Sequence, residues 1–529
     1  GPERRNSGGI DLTDPMRLLP LAEAMTKAAA EPWRAAPLIG GAVRPGAVRA
    51  LLDPADRGRR VGEVAEAGAD AVDQALARAV RAQPDWNAGG AEARAQSLER
   101  AADLMEQDRA GLMALAVREA GKTIPDALSE VREAVDFLRY YAQRARADFA
   151  RPLDLPGPTG ERNQLALAGR GVFACISPWN FPLAIFSGQV SAALAAGNAV
   201  VAKPAEQTPL IAMRAVELMH RAGVPGDVLH LLPGDGPKVG APLVADPRIA
   251  GVAFTGSTDT AQAINRALAA RSGPLAALIA ETGGQNVMIV DSSALPEQVV
   301  RDVLISSFQS AGQRCSALRI LCVQADIADK ILEMLAGAMA ELRVGDPGLL
   351  ATDVGPVIDE EARQMLDAHA DRMRREAKEI YRVTLGSDCA AGTFVAPQAF
   401  EIDGLGRVEK EVFGPILHVL RFKQDRLDQL LDGVDGLGYG LTLGIHSRID
   451  ATVRHIHGRL RIGNTYVNRN MIGAVVGVQP FGGERLSGTG PKAGGPHYLP
   501  RFAMEHTLTI DTTAAGGNAS LLSLQEEGT

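Results

Sequence analysis

Cysteine is scarce in this sequence: a chain of 529 residues has four, at positions 175, 315, 322 and 389. So few cysteines cannot form a disulfide framework in a chain of this length, which favours a reducing, cytoplasmic environment. No CxxC or HxxxH spacing occurs, and protein metal sites commonly use spacings of this kind. We therefore expect neither disulfides nor a metal.

Long apolar runs and basic clusters are missing as well. The run VSAALAAGNAVVAK is interrupted by Gly197 and Asn198, and no run reaches the roughly 18 to 20 residues needed to cross a bilayer. The formal net charge is −8, and Lys and Arg form no cluster, which argues against a nucleic-acid surface. The sequence thus predicts no membrane span and no nucleic-acid partner, and it favours small-molecule chemistry.

The sequence also has no initiator Met and no signal peptide pattern. Its opening, GPERRNSGGIDLTDP, is typical of a chain cut from something longer, so we expect residue 1 to be a boundary. The length predicts roughly two to four domains. With 57 Gly and 31 Pro, the composition stays well below that of disordered chains, so we expect a globular fold throughout.

The periodicity of the chain predicts an α/β organisation. Residues 66–146 predict long Ala-rich helices, because apolar positions in VDQALARAVRAQPDW and LMALAVREAGKTI recur every three or four residues. The Pro- and Gly-punctuated segment 151–170 predicts an extended hairpin that leaves the main body. Between 171 and 258, the β-branched runs GVFACIS, GNAVVAKP, VLHLLPG and IAGVAFTGS alternate with helical segments, as in a parallel, doubly wound sheet.

Such sheets bind ligands at the carboxyl ends of their strands, but no GxGxxG phosphate loop occurs in this region. Instead, FTGSTDTAQAI places Gly256 and Ser257 at a strand-to-helix turn, where backbone N–H groups suit a pyrophosphate. The alternative is that Gly and Ser serve the turn alone. A second α/β stretch from 284 to about 460 predicts a further domain, and HTLTIDTT predicts an edge or interface strand.

The stretch SAGQRCSA, residues 310–317, puts Cys315 among small, polar and basic residues. A structural cysteine usually lies among apolar side chains. Cationic neighbours and free backbone N–H groups lower the pKa of a thiol, and the thiolate is the nucleophilic form. The stretch therefore suggests a nucleophile, with a structural or incidental cysteine as the alternative.

Seven motifs, taken in order, resemble those of the aldehyde dehydrogenase superfamily. They are SPWNFP (177–182), KPAEQTP (203–209), FTGST (254–258), ETGGQN (281–286), GQRCSA (312–317), EVFGP (411–415) and PFGG (480–483). The resemblance covers roughly residues 60 to 515 and implies a Rossmann-type NAD-binding domain, an α/β catalytic domain and a β oligomerisation flap. The ranges it implies are 1–150, 171–283 and 474–490 for the NAD-binding domain, 284–473 for the catalytic domain, and 151–170 with 491–529 for the flap and C-terminal tail.

Further segments are similar to the dehydrogenase half of the bifunctional proline utilization A family. These are GPERRNSGGIDL, EAVDFLRYYA, NRNMIGAVVGVQPFGG, LSGTGPKAGGPHYLPRF and TTAAGGNASLL. That half oxidises L-glutamate γ-semialdehyde, the hydrolysed form of 1-pyrroline-5-carboxylate, to L-glutamate in the second step of proline catabolism. The resemblance implies NAD as cofactor, a homodimer, and a proline dehydrogenase half in the parent protein. Because that flavin-dependent half is absent from this sequence, we expect no flavin.

The resemblance also implies the catalytic residues. Cys315 would attack the aldehyde carbon, and Asn180 with the Cys315 backbone N–H would hold the developing oxyanion. Glu281, which lies 34 positions before Cys315, would activate the water that hydrolyses the thioester, and this requires a pKa in the neutral range. The alternatives are a carboxylate at an element terminus for Glu281 and a turn asparagine for Asn180.

The cofactor residues follow from the same motifs. Lys203 and Glu206 would bind the adenosine ribose, Gly256 and Ser257 the pyrophosphate, and Glu411 the nicotinamide ribose, with Phe413 nearby. Pro178 and Trp179 would line the cofactor pocket or fix the turn alone. Ala261 departs from the pattern of many relatives, which have Gly there, and this affects only the expected local helix packing.

The substrate residues are implied in the loop IGAVVGVQPF and beside the nucleophile. Gly473 and Ala474 would offer backbone N–H groups, and Ser316 its hydroxyl, to the substrate α-carboxylate. Phe481 would pack on the aliphatic part. Glu133 and Arg314 would form an ion pair at the floor of the site, or they are unrelated surface charges.

Three other functions remain as alternatives. A dehydrogenase for another semialdehyde or aldehyde is disfavoured by the loop NRNMIGAVVG. A CoA-acylating enzyme would not need Glu281. A non-catalytic superfamily module would have lost the chemistry, whereas Cys315, Glu281, Asn180 and Lys203 are all present.

Overall fold

Two seven-stranded sheets dominate the computed structural model, which describes residues 4–158 and 160–512. The α-helices in these ranges are α1 (Pro15–Ala29), α2 (Ala69–Ala88), α3 (Gly90–Gln107), α4 (Arg109–Ala120), α5 (Ile124–Phe149), α6 (Ala184–Ala195), α7 (Pro209–Arg221), α8 (Ala241–Ala245), α9 (Thr258–Ala269), α10 (Pro296–Phe308), α11 (Ala325–Ala340), α12 (Glu360–Glu376), α13 (Leu427–Gly436), α14 (Asp450–Arg459) and α15 (Tyr498–Arg501). The β-strands are β1 (Trp33–Ala35), β2 (Leu38–Ile39), β3 (Ala42–Val43), β4 (Ala47–Asp53), β5 (Asp56–Glu66), β6 (Leu153–Leu155), β7 (Glu161–Gly169), β8 (Val172–Ile176), β9 (Ala199–Lys203), β10 (Leu229–Leu231), β11 (Ile249–Thr255), β12 (Ala277–Glu281), β13 (Val287–Val290), β14 (Ile320–Gln324), β15 (Lys378–Arg382), β16 (Gln398–Ile402), β17 (Ile416–Phe422), β18 (Tyr439–Gly440), β19 (Thr442–His446), β20 (Asn464–Val467), β21 (Glu484–Arg485) and β22 (Ala503–Asp511).

Four consecutive helices, α2 to α5, occupy the region where the sequence predicts Ala-rich helices, and this prediction is confirmed. In α3, Ala91, Ala95, Leu98 and Ala102 recur on one face and are buried. Helix α5 packs against both α3 and α6. It therefore joins the helical region to the first sheet.

The first sheet has the strand order β12-β11-β8-β9-β10-β2-β3. Strands β8 to β12 are mutually parallel, and β2 pairs with β10 in the antiparallel sense. Strand β9 is buried at every position, as expected for a parallel strand covered on both faces. The carboxyl ends of β8, β9 and β11 lead directly into the SPWNFP, KPAEQTP and GST turns.

The second sheet has the order β15-β16-β17-β14-β13-β19-β20 and is parallel except for the edge strand β15. Strands β13, β14 and β19 lie within the second predicted α/β stretch, and all three are fully buried. Each sheet has its own hydrophobic core. The first sheet draws its strands from residues assigned above to the NAD-binding domain, and the second from residues assigned to the catalytic domain.

Two small sheets complete the described part of the chain. The order β1-β5-β4 was not predicted from the sequence, whereas β22-β7-β6 contains the predicted hairpin and the HTLTIDTT strand. Strand β22 pairs with β7 along nine residues, from Ala503↔Gly169 to Asp511↔Glu161. The tail after residue 512, which includes most of TTAAGGNASLL, lies outside the described residues. None of the described helices is both long and apolar enough to cross a membrane.

Candidate active site

A cavity of about 390 Å³ lies where loops from the two sheets meet. It brings together predicted residues from distant parts of the sequence. Its lining includes Cys315, Glu281, Ser316, Gly473, Ala474, Phe481, Glu133 and Arg314. Asn180 and the predicted cofactor residues are not among the residues that line this cavity.

The segment before Cys315 has an unusual backbone. After α10, a 3-10 turn spans Gln309–Gly312, and Ser310 (φ 55°) and Ala311 (φ 53°) adopt the left-handed region that L-residues rarely enter. Such conformations persist where surrounding contacts hold them. Asn286 Nδ2 supplies contacts just beyond the turn, donating to the carbonyl oxygens of Cys315 (2.6 Å) and Ala317 (2.9 Å).

Arg319 is a residue of this site that the sequence reasoning missed. Its guanidinium is buried and donates to Gly312 O (2.6 Å) and to Arg314 O (2.9 Å), so it holds the turn on both sides of Gln313. It also contacts Glu411 Oε1 at 3.3 Å. The sequence held one signal for Arg319, since it directly precedes the apolar strand ILCVQ. Arginine is almost never fully buried unless it is paired, so this position indicated a buried, paired arginine.

The predicted lowering of the Cys315 pKa is wrong. Burial, followed by the carboxylates of Glu411 and Glu281, raises the pKa of the Cys315 thiol to about 12. The neighbouring cation in sequence, Arg314, is paired with Asp126 at 2.8 Å. The thiol is therefore protonated at neutral pH, and a nucleophilic role requires a base to take its proton.

Glu281 ends β12 and lies against the glycines of PFGG. Gly483 N–H donates to Glu281 Oε2 at 3.1 Å, while Oε1 is buried with no hydrogen-bond partner among the described residues. Burial raises the pKa of Glu281 to about 8, opposed by the Gly483 hydrogen bond and by Lys492. This is the neutral-range value that the predicted base requires.

Asn180 lies in the turn after β8 and is buried. Its Nδ2 donates to Gln313 O at 3.2 Å, two residues before Cys315. A side-chain amide carries two N–H donors, so this contact leaves one for another acceptor. Asn180 is thus tied to the nucleophile segment although it comes from the other sheet.

The predicted Glu133–Arg314 ion pair is also wrong. Arg314 pairs instead with Asp126, which is buried and further accepts from Ser310 Oγ at 2.7 Å. Glu133 lines the cavity, and burial followed by the nearby Glu130 raises its pKa to about 8. Asp126 and Glu133 lie seven positions apart on one face of α5, and the sequence pattern could not choose between them.

The predicted substrate loop contributes several residues to the cavity wall. The backbone N–H groups of Gly473 and Ala474 donate no hydrogen bond within the described residues. The segment is held by other contacts, including Met471 N to Ser306 Oγ at 3.1 Å and Phe481 N to Ala493 O at 3.0 Å. Two residues of the cavity wall therefore have N–H groups with no acceptor within the described residues.

The residues predicted to bind the adenosine and pyrophosphate lie at the carboxyl edge of the first sheet. Lys203, at the end of β9, pairs through Nζ with Glu206 Oε1 at 3.0 Å. Ser257 is exposed and caps α9, since its Oγ accepts from Thr260 N at 3.2 Å. At Gly256, a Cβ would lie 2.6 Å from the Phe254 ring, so the turn has little room for a side chain.

The remaining cofactor candidates connect the two sheets. Trp179, which follows Pro178 in the first turn, contacts Phe413 edge-to-face with ring centroids 5.6 Å apart. Glu411 lies against Gly283, where a Cβ would overlap Glu411 Oε2. Arg319 lies over the Phe413 ring at 5.1 Å. The SPWNFP and EVFGP motifs therefore meet beside the nucleophile segment.

A family model, described as "Aldehyde dehydrogenase family", matches residues 46–507 of this chain. The chain belongs to the aldehyde dehydrogenase family. The predicted superfamily and its α/β fold are thereby confirmed. Individual site roles stay predictions, because the match does not test them.

Members of this family with similar sequences include a bifunctional protein. The chain is 52% identical over 510 residues to the bifunctional protein PutA of Escherichia coli K12, covering 95% of this chain and 38% of that protein. It is 36% identical over 454 residues to 1-pyrroline-5-carboxylate dehydrogenase of Geobacillus kaustophilus, covering 85% and 87%. The chain thus spans well under half the length of the PutA relative.

Solved structures give the same likeness. A variant of Bradyrhizobium japonicum Proline Utilization A superposes with a TM-score of 0.89 at 53% identity, over 97% of this chain and 49% of that one. A 1-pyrroline-5-carboxylate dehydrogenase from Thermus with bound NAD superposes with a TM-score of 0.90 at 32% identity, over 96% and 99%. The recognised resemblance to proline utilization A is therefore confirmed.

Proposed function

We propose that this chain is an NAD-dependent dehydrogenase that oxidises L-glutamate γ-semialdehyde to L-glutamate, the second step of proline catabolism. The observation that carries the proposal is one cavity lined by Cys315, Glu281, Gly473 and Ala474, where the N–H groups of the last two donate no hydrogen bond within the described residues. The likeness to 1-pyrroline-5-carboxylate dehydrogenases supports this substrate, since the semialdehyde is the hydrolysed form of 1-pyrroline-5-carboxylate.

The loop at 473–481 holds the substrate by its α-carboxylate. The N–H groups of Gly473 and Ala474, with the Ser316 hydroxyl, donate to the carboxylate oxygens, and Phe481 packs on the aliphatic chain. Buried donors without an acceptor cost roughly 1 to 3 kcal/mol each. An aldehyde without a carboxylate therefore binds less well at this site.

The thiol and the carboxyl then act in sequence. The proton of the Cys315 thiol passes to solvent water, and the thiolate adds to the aldehyde carbon, while Asn180 Nδ2 and the Cys315 N–H donate to the resulting oxyanion. Loss of a hydride from the thiohemiacetal carbon leaves a thioester. The Glu281 carboxylate then deprotonates the water that attacks the thioester, and the products are the carboxylate and the free thiol.

The residues around the cavity suit NAD, which supplies the hydride acceptor when bound. Lys203 and Glu206 provide an ammonium and a carboxylate at the end of β9, a donor and acceptor set suited to ribose hydroxyls. The close approach of Gly283 and Glu411 forms a cradle with no room for a side chain at position 283. Ser257 and Gly256 offer an exposed turn for the pyrophosphate.

The small sheet of β6, β7 and β22 serves as the oligomerisation flap of a homodimer. Its two edge strands, β6 and β22, carry exposed apolar side chains, including Leu153 (61% exposed) and Leu508 (54% exposed), and exposed edge strands favour pairing with another chain. In the parent protein, the chain works beside a proline dehydrogenase part. Light scattering at micromolar concentration should give a dimer, and a monomer would contradict the flap.

The proposed activity is tested by NADH formation with a panel of aldehydes. The kcat/KM should be highest for L-glutamate γ-semialdehyde and lower for succinic semialdehyde and pentanal. A higher value for succinic semialdehyde would replace the substrate while keeping the chemistry. No NADH with any aldehyde would favour a non-catalytic module.

A further inference from the structure

Two buried carboxylates on α5, one helical turn apart, hold different parts of the site. Asp126 pairs with Arg314, the residue before Cys315, at 2.8 Å. Glu130 Oε1 accepts from Leu183 N at 3.0 Å and from Ala184 N at 2.9 Å. Helix α5 thus contacts both the segment that carries the nucleophile and the turn that carries Asn180.

The start of α6 depends on Glu130. The first N–H groups of a helix have no partner inside the helix, and the side chain of the N-cap residue usually accepts from one of them. The N-cap of α6 is Leu183, whose side chain cannot accept a hydrogen bond. Glu130 comes from 53 positions away to take this role. Its other oxygen lies 3.7 Å from Lys122 Nζ, and this ammonium lies 4.2 Å from the Phe181 ring centroid.

We propose that Glu130 is a positioning residue for Asn180. By holding the amides of Leu183 and Ala184, it fixes the turn 177–183 on α5, the helix that also anchors Arg314. Asn180 is thereby held at a set place relative to Cys315, where its free N–H meets the oxyanion. The inference rests on the proposed role of Asn180.

The chain contains a matched control in Glu119. This buried carboxylate caps α7, the helix that follows β9, and accepts hydrogen bonds from Leu210 N (2.7 Å) and Ile211 N (3.0 Å). The two amides that it holds come directly after the KPAEQTP turn. These hydrogen bonds involve neither the turn of Asn180 nor the nucleophile segment. A general effect of losing a helix cap should therefore appear equally in Glu119→Met.

The main test variant replaces both members of the buried pair, Lys122→Met with Glu130→Met. Replacing the whole buried ion pair with apolar side chains leaves no unpaired buried charge, but the amides of Leu183 and Ala184 lose their acceptor, so the melting temperature should fall about as far as in Glu119→Met, which also loses a helix cap. The rate of the first NADH turnover should also fall by about ten- to a hundredfold, since small misplacements at a reacting centre cost this much. A role confined to stability predicts that this rate is retained.

The decisive comparison repeats the change in an Asn180→Ala background. If Glu130 acts through Asn180, the double replacement should there alter the rate by less than about twofold, while Glu119→Met changes it by the same factor in both backgrounds. Glu130→Gln, which keeps one acceptor oxygen, should be intermediate and serves if the double variant does not fold. Equal factors in both backgrounds for the Glu130 variants would overturn the proposal.

Propanal and L-glutamate γ-semialdehyde are both used, so that the two proposals can fail separately. If the unsubstituted chain oxidises propanal but not the semialdehyde, the proposed substrate is contradicted, and the coupling between Glu130 and Asn180 can still be measured with propanal. If it oxidises both aldehydes and the Glu130 and Asn180 effects are additive, only the positioning role is contradicted. If it oxidises neither aldehyde, the proposed function and the positioning role are both overturned.

Discussion

Gly483 donates its backbone N–H to Glu281 Oε2 over 3.1 Å, and Oε1 of the same carboxylate is buried with no partner among the described residues. A Cβ on Gly482 would lie 2.7 Å from Oε1, so glycine at this position leaves the carboxylate its place. One oxygen is therefore held while the other remains available for a proton. Two predictions follow from this arrangement.

The first concerns pH. Burial raises the pKa of Glu281 to about 8, and a base acts only when deprotonated. The deprotonated fraction increases as pH rises through the pKa, so kcat should increase through the neutral range and level off above it. Lys492 lowers the pKa of Glu281, so Lys492→Met should move the rise to higher pH. A kcat that is flat across this range in both proteins would contradict Glu281 as the base.

The second concerns the order of steps. Glu281→Gln should slow thioester hydrolysis more than hydride transfer, because the amide cannot accept the proton of water. Stopped-flow absorbance should then show a burst of NADH followed by a slow steady state. Uniform slowing without a burst would indicate a structural glutamate.

Cofactor preference depends on Glu206. A carboxylate that accepts from the ribose 2′-hydroxyl repels a phosphate at that position, so the parent should prefer NAD to NADP. Glu206→Ser should relax this preference, measured as the ratio of kcat/KM values. Glu217→Ser, which removes a partly exposed carboxylate from α7, is the control and should leave the ratio unchanged. Equal efficiency with both cofactors in the parent would contradict this role.

Substrate discrimination depends on the loop at 473–481. Pentanal should be oxidised at least about ten- to a hundredfold less efficiently than the semialdehyde, because it leaves buried donors unpaired. Ser316→Ala should reduce the ratio of kcat/KM for the semialdehyde to kcat/KM for pentanal, and Ala474→Pro, which removes an N–H, should reduce it further. Val478→Ala, at an exposed position of the same loop, should not.

Glutamate inhibition gives an independent reading of the same loop. L-glutamate should inhibit competitively against the semialdehyde, and the inhibition should weaken in Ser316→Ala. Equal efficiency with pentanal together with no inhibition by glutamate would contradict carboxylate binding by this loop.

The sequence predicted the two large sheets well because buried parallel strands appear as continuous apolar runs. Strands β9 and β14 are of this kind, each buried at every position. The sheet of β1, β4 and β5 escaped prediction because β5 is largely polar and is joined by pairing rather than burial. Local periodicity does not report such pairing.

The structure brings several predicted site residues to one cavity, but their electrostatics differ from what the sequence indicated. Cys315 and Glu281, which the motifs indicate as catalytic, line the same cavity, but sequence neighbours gave the wrong pKa shift for the thiol. Arg314 adjoins Cys315 in sequence yet is paired with Asp126, 188 positions away. Burial and the carboxylates that approach Cys315 from other segments are set by the fold. The helix caps from Glu119 and Glu130 are long-range contacts of the same kind.

The most direct test of the proposed reaction is to trap its covalent intermediate. Glu281→Gln protein, mixed with NAD and L-glutamate γ-semialdehyde and quenched in acid, should carry a glutamyl thioester, located by peptide mass spectrometry. The account predicts the adduct on the peptide containing Cys315, in an amount matching the NADH burst, and none in the Cys315→Ala control. NADH formation with no adduct on Cys315, or an adduct on another residue, would contradict it.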